Sequence, residues 1–182
     1  MLKYLYNSLC WDDLPDDLTL RQARLRHGLR RADRYTSLAL AATDELLGNW
    51  PPSPLTALIT ISAFGPSDTA FQTIEDILDV PAEEISPTKF SHSVENAVCS
   101  YLGVAFGFHG PVFALTGFHR ENVSLARRLA VILLEQGLAP EALVLNIACN
   151  SIVTSRAREF YPEVFPEGVR EHVRAWHYVK KC

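Results

Sequence analysis

Apolar positions along the chain fall into blocks, some with a helical period and some as short unbroken runs. From Tyr35 to Leu47, Leu38, Ala39, Ala42 and Leu46 share one helical face while Asp44 and Glu45 fall elsewhere, which predicts an amphipathic helix. Asp33 stands where an N-cap belongs and Gly48 where a helix stops. Leu55 to Ser62 is a short apolar and β-branched run with turn residues on both sides, the pattern of a buried strand. Asp68 is placed to cap a second helix that continues through Ile74, Ile77 and Leu78, and Ser93 to Phe106, rich in small residues, predicts a third. Val112 to Thr116, entered through Gly110-Pro111, is another strand. Asn122 to Gln136 is apolar around most of its circumference apart from Arg127, Arg128 and Glu135, as a helix buried against a sheet would be. Gly137 ends it, and Ala142 to Ile147 is a final strand. Helices alternating with short buried strands imply an α/β sandwich whose sheet is at least partly parallel. Beyond Ser155 the character changes. Pro162 and Pro166 interrupt the chain, and Glu171 to Lys181 reads as a short basic amphipathic helix that Trp176 and Tyr178 dock onto the domain.

Composition narrows the class. With 182 residues, 48% of them hydrophobic and 21% charged, the chain can bury one good core but not two large ones. A net charge of −4 and no basic stripe argue against nucleic-acid binding. No apolar run approaches the ~20 residues of a membrane-spanning helix. The stretch Met1 to Trp11 runs straight into Asp12, Asp13, Asp16 and Asp17 and makes a poor signal peptide. The expected setting is therefore the cytoplasm, without membrane insertion. Cys10, Cys99, Cys149 and Cys182 form no CxxC pair, and no histidine cluster completes a metal-ligand pattern, so no metal site is expected.

The middle of the chain carries more. The runs Phe90-Ser91-His92-Ser93-Val94-Glu95-Asn96-Ala97, then Ser100-Tyr101-Leu102, then Gly107-Phe108-His109-Gly110-Pro111-Val112-Phe113-Ala114-Leu115-Thr116 resemble the β-ketoacyl synthases. In that family a helix with an Asn-Ala-type step leads into a G-x-x-G-P turn, then a strand, then the tight turn that holds the catalytic cysteine. Asp33-Arg34 with its Ala-rich helix, and Leu58 to Phe64, match in order, so the likeness runs from about Ala32 to Ile152. It implies an α/β, thiolase-like fold, half of a β-ketoacyl synthase, with a mixed sheet packed by helices. Residues 1–154 would form the synthase N-terminal-like domain, and residues 155–182 a tail docked on it.

Counting on from Gly110-Pro111, the position of the lost nucleophile falls at or beside His119, and no cysteine lies there. An acyl-enzyme needs a thiolate, which imidazole does not replace. The two histidines of the synthases' second half also have no counterpart. That combination resembles the chain-length-factor group, specifically the short synthase-like partners of aryl-polyene and related polyene systems. The resemblance implies a catalytically silent subunit paired with an active β-ketoacyl-acyl-carrier-protein synthase, and contact with an acyl carrier protein. It implies no cofactor beyond the 4′-phosphopantetheine that the carrier brings. Val112, Phe113, Leu115 and Thr116 would belong to the strand that pairs across the heterodimer, and Phe90, His92, Val94 and Ala97 would lie near the far end of the partner's acyl tunnel.

Each candidate has a plainer reading beside it. His119, at a helix start, can attract an anion or simply open a surface helix. His92 is either a general base or a hydrogen-bonded interface residue. Cys99 and Cys149 are either small buried thiols or the nucleophiles of an independent acyltransferase or hydrolase. Arg21, Arg24, Arg26, Arg30, Arg31 and Arg34 form either a landing patch for an acidic carrier protein, with or without a synthase, or one helix's solvated face.

Overall fold

The computed structural model describes residues 4–30, 32–117, 121–164 and 169–180. Two parallel strands anchor it, β2 (Ala57–Ser62) and β4 (Glu141–Ala148). Both are buried almost throughout, because alternate side chains enter opposite cores. Leu58, Leu143 and Leu145 face one core, and Ile59, Ile61, Ala142 and Val144 face the other. Around them the five-stranded sheet runs β1-β5-β4-β2-β3. Strand β3 (Val112–Thr116) lies parallel to β2 at one edge, and β1 (Leu5–Trp11) forms the other edge. Strand β5 (His172–Val179) runs antiparallel to both of its neighbours, β1 and β4.

Helix α2 (Arg34–Leu47) covers the first face of the sheet together with α5 (Ala97–Phe106), and α1 (Asp17–Arg26) packs outside α2. The α2 boundaries follow from their cap residues. Asp33 accepts a hydrogen bond from the Thr36 amide at 2.7 Å, and Gly48 takes the positive φ of 53° that ends the helix. Helix α6 (Asn122–Glu135) covers the second face through Ala126, Ala130, Leu133 and Leu134. At the carboxyl end of the parallel strands lie α3 (Ser67–Asp79), α4 (Pro87–His92) and α7 (Ile152–Phe160). No described helix is long and apolar enough to cross a membrane.

Four expectations need correction. Residues 172–179 form β5, an interior strand of the sheet, where a docked amphipathic helix was expected. Val173 and Ala175 enter one core and Tyr178 the other, so the segment is apolar on both faces. The boundary at residue 154 falls inside α7. Asp68 does not cap α3. It sits in the first turn, and its Oδ1 accepts from the Ile152 amide at 2.7 Å, tying the starts of α3 and α7 together. The helix expected over 93–106 begins only at Ala97, and α4 before it is a separate turn capped by Ser86. Strand β1 and helix α7 were not expected, and α1, which carries Arg21, Arg24 and Arg26, was anticipated only in the reading of the arginines as one helix's solvated face.

A buried polar cluster closes the amino end of β4. The His177 ring lies 3.2 Å from Glu141 Oε2, and the Trp50 indole N–H donates to Glu141 Oε1 at 3.3 Å. Hydrogen-bonding to a carboxylate places the His177 proton on Nε2 and leaves its buried Nδ1 without a partner. Burial pushes the His177 pKa below its ordinary value, against the opposing pull of Glu141.

Candidate partner interface

The Gly110-Pro111 turn sets β3 in place by direct backbone contact. A Cβ on Gly110 would stand 2.4 Å from the Thr56 carbonyl oxygen and 2.5 Å from that of Leu55. The His109 amide donates to Pro54 at 2.6 Å, and the Leu58 amide donates to the Pro111 carbonyl at 2.9 Å. The register that follows pairs Leu58 with Val112 and Ser62 with Thr116. Phe113 and Leu115 pack on the α6 core, while Val112 and Thr116 are exposed. The outer edge of β3 meets no other strand among the described residues. Helices α5 and α6, which flank it, carry the exposed apolar side chains Val104, Leu125 and Ile132.

The expected tunnel residues do not share one surface. Phe90 and Val94 are exposed, whereas His92 and Ala97 are buried. The His92 ring stacks on Tyr101 at 4.3 Å, and its Nδ1 is buried with no partner. Burial lowers its pKa, with Asp33 pulling the other way. A cavity of about 240 Å³ opens beside it, lined by Asp33, Thr69, Lys89 and His92 among others. Glu95 folds back over Gly65, whose φ of 51° and missing Cβ make room for the carboxylate; burial raises that carboxyl's pKa.

The thiols are placed for packing. Cys99 lies inside α5 and shares a 3.4 Å contact with the Thr60 hydroxyl of β2, and burial pushes its pKa up. Cys149 follows β4, where burial and the carboxylates of Asp33, Glu171 and Asp68 raise its pKa to about 12. Neither has a histidine hydrogen bond among the described residues. Gly117, with φ 103°, follows the end of β3, and His119 lies outside the described residues. The sequence from Gly117 to Glu121 contains no cysteine.

The arginine group is largely spoken for. Arg24 donates to the Ala32 carbonyl at 3.0 Å, Arg26 pairs with Asp44 at 2.8 Å, and Arg34 bridges Asp17 and Glu171. Arg21 and Arg30 are left exposed, and Arg31 lies outside the described residues. Contiguous periodicity along α1 could not reveal these partners, because Asp44 and Glu171 are distant in sequence.

Residues 25–160 match the family model described as the β-ketoacyl synthase N-terminal domain. The chain belongs to this family. The β-ketoacyl synthase domain is also similar to several solved structures. It matches one of a ketosynthase, ApeO, in complex with its chain length factor, ApeC, from Xenorhabdus doucetiae, with TM-score 0.67 and 15% identity over 98% of this chain and 79% of that one. It matches the ishigamide ketosynthase/chain length factor with TM-score 0.69 and 18% identity, over 88% of this chain and 47% of that one. A β-ketoacyl synthase from Burkholderia phymatum STM815 gives TM-score 0.66 and 12% identity, over 93% of this chain and 45% of that one. The synthase-type domain thus spans less than half the length of the last two. No curated protein matches it. At these identities the likeness is one of fold, and it bears out the thiolase-like architecture expected from the middle segment.

Proposed function

We propose that the chain is a catalytically silent, chain-length-factor-like subunit that pairs with an active β-ketoacyl-acyl-carrier-protein synthase and shapes the end of its acyl tunnel. The observation that carries this reading is the state of the thiols. This synthase-type domain has no cysteine in the turn after β3, and its buried Cys99 and half-buried Cys149 both have pKa values raised above the ordinary thiol range, which favours the neutral form. The open β3 edge supports the pairing. A strand of β-branched and aromatic residues, packed against helices α5 and α6 that carry the exposed apolar Val104, Leu125 and Ile132, offers main-chain groups to a partner strand. The product class is a polyene or fatty-acid-like chain, assembled in the cytoplasm on an acyl carrier protein that brings its own 4′-phosphopantetheine.

The test is co-expression with a β-ketoacyl synthase encoded in the same gene neighbourhood, followed by affinity capture and size-exclusion chromatography. A one-to-one complex is expected, with elongation that needs both chains but no cysteine of this one. A lone monomer that ignores the synthase, or elongation by the synthase alone at full rate and unchanged length, would overturn the proposal.

A further inference from the structure

Helix α3 turns its apolar side outward. Phe71, Ile74 and Leu78 recur at helical spacing with Ile77 beside them, and all four are exposed, Leu78 at 77%. The one buried residue of α3 is Thr73. The helix is held by polar links instead: Asp68 to the Ile152 amide, Thr69 to Asp33, and Lys89 to Asp76. An amphipathic helix fixed with its apolar stripe in water is an unfinished interface, since monomers rarely expose contiguous apolar patches of this kind. The stripe continues into a groove of about 570 Å³ between Phe71 and α7, lined there by Ile152, Val153, Ala157 and Phe160, with Arg156 as the one charged side chain in its lining, on the α7 side and away from the acidic α3 border.

The charges around the stripe say what fits. Glu75 and Asp79 border it along α3, and neither has an ion-pair partner among the described residues. Glu83 and Glu84 extend the acidic border past the end of the helix. Asp76 alone is paired, with Lys89 at 2.6 Å. A second copy of this chain, docked antiparallel about a two-fold axis, would set these carboxylates against themselves. A helix with an apolar face and a basic border would satisfy both the stripe and the carboxylates.

We infer that the outward face of α3, with the α3–α7 groove, receives an amphipathic helix with a basic border from the partner synthase, as a contact separate from the β3 edge. This rests on the silent-subunit reading above. The test measures the affinity of the purified complex for three variants of this chain: Ile74→Asp with Leu78→Asp, Glu75→Lys with Asp79→Lys, and Ala114→Pro in β3. All the altered α3 side chains are exposed, so circular dichroism and melting temperature should match the parent. The α3 pairs are expected to weaken the complex at least tenfold each, and the acidic pair less so at high salt. If both α3 pairs bind within twofold of the parent while Ala114→Pro abolishes binding, the α3 inference fails and the silent-subunit reading stands. If the parent chain binds no synthase, both fail. Concentration-dependent dimerisation of the chain alone that Glu75→Lys with Asp79→Lys strengthens would also overturn the inference, in favour of self-association.

Discussion

Replacing Gly110 by alanine tests whether β3 is positioned by the backbone contact beneath its entry turn. The added methyl carbon would lie 2.4 Å from the Thr56 carbonyl oxygen, against an ordinary contact near 3.4 Å, so the turn must move by about 1 Å. The obstacle is main chain, not a side chain that can swing away. A shift of that size stretches the His109–Pro54 and Pro111–Leu58 hydrogen bonds, now 2.6 and 2.9 Å, beyond useful range. Overpacking costs ~1–3 kcal/mol, and each lost hydrogen bond ~0.5–1.5 kcal/mol. The sum points to about 3 kcal/mol, or roughly 6–12 °C in Tm for a chain of this size. Gly137→Ala is the control. Its Cβ meets nothing within 4 Å, and only the left-handed φ of 69° opposes it, at ~1–2 kcal/mol. Urea unfolding followed by circular dichroism reads both variants. A Gly110→Ala variant as stable as the parent, or more stable than Gly137→Ala, would refute the account of how β3 is held.

Four further outcomes are expected. Stability should decline in acid: burial holds the His177 pKa below its unfolded value, so the unfolded chain takes up the proton first, and stability is lost as pH falls below ~6.5 towards the lower folded value. His92 adds to this with the same sign; urea midpoints at pH 7.5 and 5.5 that coincide would contradict it. With iodoacetamide at pH 8, exposed Cys10 should alkylate readily while Cys99 and Cys149 react at least a hundredfold more slowly, as peptide mapping would show. Elongation by the complex should survive Cys99→Ala and Cys149→Ala, and its loss in either would return the chain to the enzymes. Phe90→Ala and Val94→Ala should leave the exposed α4 region folded, with stability within ~0.5 kcal/mol, yet lengthen the complex's product by removing bulk from the tunnel end. Product profiles unchanged for both by mass spectrometry would remove these residues from the tunnel.

What could be read from sequence was whatever a local rule dictates. Asp33 and Gly48 bracket α2 because an N-cap acceptor and a positive φ are each local requirements. Gly110-Pro111 announced β3 for a similar reason, although the carbonyls of Leu55 and Thr56 that demand the glycine lie far back in the chain. Strand β5 was missed because it is buried on both faces: Val173 and Ala175 alternate with Trp176 and Tyr178, so no apolar–polar period of two appears, and Arg174 and His172 mimic a helix's polar side. Strand β1 exposes most of its residues, and only its pairing with β5 defines it. At the candidate interface, the missing cysteine was legible at once. The neutral state of Cys149 was not, since Asp33, Glu171 and Asp68 converge on it only in the folded chain.

The place of β5 between β1 and β4 also governs how the chain must be made. Among the described residues β1 pairs only with β5, and the two are separated by almost the whole chain. At a synthesis rate of ~5–20 residues per second, β1 leaves the ribosome roughly ten to thirty seconds before the strand that captures it. For about the last one to five seconds of that interval, at the same rate, β4 shows a bare, apolar edge, and the nascent chain holds a sheet with a gap in it. Closing a loop of this length makes for slow, late completion. A chain cut short before residue 172 would therefore leave β1 unpaired and the β4 edge open, a sticky fragment and not a shorter subunit.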